Sequence, residues 1–287
     1  MRIINDIRKA KKLTFFIRTV LPFAIPFIFE IPDDYVAFVF KLILVIVVSC
    51  IDLAIIFLID KSETNEKVDL FRKYAVSHAY SHIYEFNEKK RDYYIRCANN
   101  NPNSINDNAD EFIKLICQSF RDVIGEITDT EKVNMHTTFI YKLENDKKWK
   151  WATQKESTHV GVIEDLLNKE STVFYQLLHK NSEGEDIAFV FYNDKKKAAA
   201  LKKYYFGTRD RMHGNIGSIM GFKFGFCTNE NRLADALFII SSYGKRFVED
   251  DNENSISDLQ RLISDDIFPC YQRLLEIELG TICLTNK

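Results

Sequence analysis

The chain has 287 residues and a near balance of charge, 39 Lys and Arg against 41 Asp and Glu, for a net charge of −2. That balance argues against nucleic acid as a bulk partner held by charge alone. With only 10 Gly and 5 Pro and no internal repeat, the composition also excludes collagen-like and low-complexity classes.

Leu13 to Ile59 forms two apolar runs broken at Glu30-Ile31-Pro32-Asp33-Asp34. The first holds one charge, Arg18, and two prolines, Pro22 and Pro26; the second holds only Lys41 and Asp52. A bilayer core takes about 20 apolar residues of helix, so the second run is long enough and the first barely so. Pro-Asp-Asp reads as a turn. The expectation is a two-helix transmembrane hairpin over residues 1–60, with the lipid bilayer as its partner. Arg2, Arg8, Lys9, Lys11 and Lys12 precede the first run, whereas the turn is acidic. Basic flanks stay inside, so the N-terminus and everything after the hairpin are expected on the cytoplasmic side of the inner membrane. Arg18 and Asp52 lie within the apolar runs. Charges there usually face protein or water, so Asp52 is expected at a membrane contact of a homo-oligomer, and Arg18 either at such a contact or snorkelling to the basic cytoplasmic edge. Cysteines scattered without CxxC spacing predict reduced thiols.

Residues 61–104 read as a connecting helix and a linker. Lys61 to Ala98 contains neither Pro nor Gly, and Asn99-Asn100-Asn101-Pro102-Asn103-Ser104 combines turn formers with a proline. His78 and His82 stand at i, i+4, a spacing that suits a metal pair. No Glu follows the first histidine as in HExxH and no third ligand is apparent, so the pair reads as a solvated or tyrosine-packed helix face with no metal.

Residues 105–287 carry alternating signals. Asp107 to Ile127 is amphipathic, with Phe112, Leu115, Ile116, Phe120, Val123, Ile124 and Ile127 at helical spacing. Val133 to Leu143 and Lys148 to Thr153 read as paired strands, and Gly161 to Leu178 as one or two short helices. Asp186 to Tyr192 is a strand, Asp194 to Phe206 a helix, Gly214 to Thr228 and Asp235 to Ser242 strands, and Ser255 to Leu279 a final helix. The class is α+β, an antiparallel sheet flanked by helices.

The strand ending in Asn193-Asp194, the helix after it, Ser218 at a strand start, Ser241-Ser242 at a strand end, Phe247, Asp250-Asp251 and the last helix together resemble the second half of a GAF domain. A PAS-like sheet is the alternative. The resemblance implies a ligand-sensing domain. The glycine-bounded stretch Gly207-Thr208-Arg209-Asp210-Arg211-Met212-His213-Gly214-Asn215 would border its cleft, where guanidiniums hold phosphate bidentately. Arg209, Arg211, His213 and Asn215 are the candidate ligand-binding residues, for a nucleotide-like small molecule; the alternative is that Arg209 and Arg211 merely pair with surface acids. Lys195-Lys196-Lys197 reads as a solvated helix face.

No GxSxG, P-loop, HExxH, GGDEF-like run or DxD pair is present, so the chain is expected to be no enzyme and to need no cofactor. A sensor domain behind a membrane hairpin resembles bacterial antiphage effectors, in which ligand binding drives oligomerisation and membrane disruption. The alternative is a non-catalytic, membrane-tethered scaffold or sensor that docks a separate partner protein.

Overall fold

A computed structural model describes residues 38–100, 109–152, 163–180, 183–227, 231–249 and 252–285. Within 38–100 it describes the side chains of 40, 43, 46, 47 and 68–95. The first apolar run, the acidic turn and Arg18 lie outside the described residues, as does the side chain of Asp52. Among the described residues no helix is long and apolar enough to cross a membrane.

The chain divides into two compact units, Met1–Lys73 and Tyr74–Lys287. In the first, helix α1 (Phe38–Asn100) begins, and its side chains Phe40, Ile43, Ile46 and Val47 are exposed.

The second unit is an α+β domain around a five-stranded antiparallel sheet of order β2-β1-β5-β4-β3. Its strands are β1 (Met135–Leu143), β2 (Lys150–Trp151), β3 (Phe189–Tyr192), β4 (Ile219–Cys227) and β5 (Arg232–Ser242). β5 is central and pairs along nearly its whole length with β1 and β4. Its run from Ala236 to Ser242 is buried without alternation, the pattern of a strand covered on both faces. On one face Phe139, Phe222, Phe224, Phe238 and Ile240 join the larger core; on the other Ile140, Ile219, Leu237 and Ile239 join a smaller one.

The larger core is closed by α2 (Ala109–Ile127) and by the C-terminal helices. Phe112, Ile113, Ile116, Cys117, Phe120, Val123 and Ile124 of α2 are buried on one stripe, as helical spacing predicts. Leu115, which the spacing groups with these apolar residues, lies off that stripe and is 37% exposed. Ala75, Ala79 and Phe86 of α1 are buried in the same core. The smaller core is closed by α3 (Ile163–Asn168) and α4 (Val173–Leu178). Thr172 caps α4 by accepting from the Tyr175 amide at 3.1 Å.

Two short helices, α5 (Lys195–Ala200) and α6 (Thr208–Met212), connect β3 to β4. α5 ends well before Phe206, and α6 occupies what the sequence reads as an open loop. The final helical stretch is α7 (Glu253–Arg261), a π-helical turn at Leu262–Ile267, and α8 (Phe268–Thr285). Pro269 accounts for the interruption: it has no amide to bond the preceding turn, and its ring clashes with the carbonyl four residues back.

Candidate functional site

Asn193, Ser218, Ser242 and Phe247 meet where β3 and β5 end and β4 begins; Asp250 and Asp251 lie outside the described residues. The Asn193 side chain donates to the Val248 carbonyl at 2.8 Å and accepts from the Val248 amide at 2.9 Å. The Ser218 hydroxyl donates to the Asn193 carbonyl at 2.6 Å and accepts from the Phe247 amide at 2.8 Å. Ser242 Oγ accepts from the Ser218 amide at 2.8 Å and donates to the Lys245 carbonyl at 2.7 Å. Gly217 makes this approach possible: at φ +148 a Cβ there would collide with the Ser242 carbonyl. Asp194 caps α5, accepting from the Lys196 and Lys197 amides at 2.7 and 3.2 Å. These groups are satisfied by the protein itself, so their role is to hold the chain after β5 against the strand ends.

Beside this latch lies a buried ion pair. Lys195 is fully buried, and its Nζ donates to Asp210 Oδ1 and to the Ser242 carbonyl, each at 2.8 Å. The ammonium also stands 3.9 Å from the centre of the Tyr243 ring, a favourable cation–π geometry. Asp210, 3% exposed, further accepts from the Tyr204 hydroxyl at 2.9 Å and from the Gly207 amide at 2.9 Å. Burial drives the Tyr204 and Tyr243 phenols above their ordinary range, and the Asp210 charge adds to it. Only Lys196 and Lys197 of the lysine run are exposed; Lys195 corrects its reading as a solvated face.

Burial lowers the Lys195 ammonium from its ordinary 10.5 to about 8, with Asp210 opposing the shift. The folded value lies below the unfolded one, so the unfolded chain holds this proton more tightly. The cost is fully present below pH 8 and shrinks as pH rises from about 8 to 10.5. Relative to a Lys195→Met, Asp210→Leu variant, the wild-type chain should therefore gain about 1.4 kcal/mol per pH unit at most across that window. Denaturant unfolding of both chains at pH 8 and pH 9.5 checks this; parallel stabilities would contradict it.

The ion pair fixes α6, and α6 carries the candidate ligand residues. With Asp210 turned inward, Arg209 and Arg211 diverge, since positions i and i+2 on a helix do not face one another. Arg209 and His213, at i and i+4, share a face and line a cleft of about 290 Å³ with Lys114, Gln118, Arg121, Lys132, His136 and Thr137. Arg211 is absent from that lining and donates to its own turn, at the Phe206 carbonyl. Asn215 is also absent from it; its side-chain oxygen is buried without a hydrogen bond and its backbone is left-handed at φ +59. Of the four expected ligand residues, two thus reach the cleft.

The cleft is basic. Lys114, Arg121, Lys132 and Arg209 line it and no carboxylate does. Behind them Asp122 accepts from Arg121 at 3.1 Å and from Lys132 at 2.8 Å, which orders both cations and offsets one charge. Arg209 has no carboxylate partner among the described residues; its guanidinium lies 5.4 Å from the centre of the Tyr243 ring. No family model, curated protein or solved structure matches the chain. Such a cleft can hold an anion bearing several oxygens, with Arg209 giving planar two-point contact and the lysines giving point charge.

Sequence reading missed Lys114, Gln118 and Arg121. Their i, i+4, i+7 spacing was the available signal, but a polar stripe opposite an apolar one ordinarily means solvent. A second cleft, of about 420 Å³, lies along β3 with Tyr175, His179, Tyr192 and Lys203 in its lining. It lacks a comparable convergence of cations.

Proposed function

We propose that the chain is a membrane-tethered sensor whose α+β domain takes up a phosphorylated, nucleotide-like small molecule in the basic cleft between α2, β1 and α6. The observation that carries this reading is the convergence of Lys114, Arg121, Lys132 and Arg209 on one cleft whose lining contains no carboxylate. The GAF-like reading is supported by the order of elements: a strand into Asn193-Asp194, a helix, a strand after Ser218, a strand ending in Ser241-Ser242, then the C-terminal helices. The hairpin is proposed from the apolar runs of Leu13 to Ile59, most of which lie outside the described side chains. Phe40, Ile43, Ile46 and Val47, apolar and exposed on α1, support a lipid-facing surface.

In this reading the domain is cytoplasmic, performs no catalysis, and the hairpin is the output. Ligand binding brings copies together through membrane contacts that include Arg18 and Asp52, and the assembly disrupts the membrane as antiphage effectors do. The test is dye release from phospholipid vesicles carrying the full chain, on addition of pyrophosphate or ATP. Arg209→Glu should raise the concentration needed by about 10- to 100-fold, the value of one charge-assisted contact. Arg211→Glu should leave it unchanged. Equal release from wild type and Arg209→Glu would contradict the assignment of the cleft.

A further inference from the structure

His78 and His82 are one turn apart on the Tyr74–Asn100 part of α1, so both imidazoles project from one face. The third ligand that local spacing does not reveal comes from another helix. Glu126, in the last turn of α2, brings its carboxylate to both rings: Oε2 contacts His78 Nε2 and lies 3.8 Å from His82 Nε2. The three donor atoms all fall within 4.8 Å of one another. His78 Nε2 is closed off from solvent, with the Glu126 carboxylate as its contact. Tyr74 stacks on the outer side of the His78 ring, 5.8 Å between centres and 6° between planes, and His82 meets it edge-on at 4.9 Å. Both rings are therefore held by their neighbours.

We propose that His78, His82 and Glu126 form a binding site for a divalent transition metal of the zinc class. Two imidazole nitrogens and one carboxylate oxygen suit zinc or cobalt, whereas calcium and magnesium take sets composed of oxygens. Donors around tetrahedral zinc stand about 3.3 Å apart, given metal–ligand bonds of about 2.0–2.1 Å, so the three donors, all within 4.8 Å of one another, would adjust their spacing on binding. Three protein ligands leave a fourth position for water or a small ligand. The side chains are 27%, 20% and 41% exposed, so the cluster lies near the domain surface although His78 Nε2 itself is covered. The metal would fasten α1 to α2 within the domain, and α2 also carries Lys114 and Arg121 of the basic cleft. This inference stands independently of what the cleft binds.

The test uses the full chain in detergent, stripped with a chelator and titrated with Zn2+ against a chromophoric competitor. One zinc per chain is expected. His82→Ala and Glu126→Gln should each weaken it at least 10-fold while the circular dichroism spectrum stays unchanged. Co2+ should give the intense visible absorption of a four-coordinate centre in wild type and lose it in both variants. Absence of stoichiometric zinc, or equal affinity in wild type and Glu126→Gln, would overturn the site and leave an ordinary histidine–carboxylate ion pair.

Discussion

Replacing Asp210 by alanine should lower the unfolding free energy by about 3 to 5 kcal/mol, the cost of stranding a buried charge. The carboxylate accepts from Lys195 Nζ, the Tyr204 hydroxyl and the Gly207 amide, so its loss leaves an ammonium and two further donors without their acceptor. Coulomb attraction at 2.8 Å does not make the pair indispensable, because removing both charges also removes both desolvation costs. Lys195→Met with Asp210→Leu should accordingly recover the part of the loss due to the stranded ammonium, the Tyr204 hydroxyl and the Gly207 amide still lacking their acceptor. Denaturant midpoints of the single and double variants decide the matter. A loss of under about 0.5 kcal/mol in Asp210→Ala, typical of surface changes, would show that the pair anchors nothing.

Phe120→Ala should be of similar size, about 3 to 5 kcal/mol for a large aromatic removed from a packed core. Phe120 is fully buried. Its ring lies 5.1 to 5.9 Å from those of Phe222, Phe238, Phe268 and Tyr271, mostly edge to face, and such pairs add to the area term. It therefore joins α2 to β4, β5 and α8 at one point. Leu115→Ala on the same helix is the control: at 37% exposure it should cost well under 1 kcal/mol. Similar losses in the two variants would mean that α2 does not pack as described.

The sheet and α2 were legible because their patterns are dictated by burial. α2 shows an apolar stripe at helical period, and β5 shows an unbroken apolar run, which a strand covered on both faces requires. The phase of a short helix is not written in composition. Lys195 is indistinguishable from Lys196 and Lys197 as a residue type, and only its place in the first turn of α5 sends it inward to Asp210. For the same reason Arg211 was grouped with Arg209: in an open loop the two would converge, and in α6 they diverge. The cleft was half legible. α6 supplies Arg209 and the residue directly after that helix is His213, but Lys114, Arg121, Lys132 and His136 come from α2, a 3-10 turn at Lys132–Asn134 and β1, which only the tertiary fold brings together. Glu126 escaped notice likewise, because α2 brings it to the histidine pair across the fold rather than along the chain.

The claim on which the functional account rests is that the cleft beside α6 holds a phosphorylated small molecule. Native mass spectrometry of the full chain released from detergent tests it most directly, comparing wild type with Arg209→Glu and Arg211→Glu. A phosphate-bearing molecule should be retained by wild type and by Arg211→Glu and lost from Arg209→Glu. The same molecule retained by all three chains would contradict it.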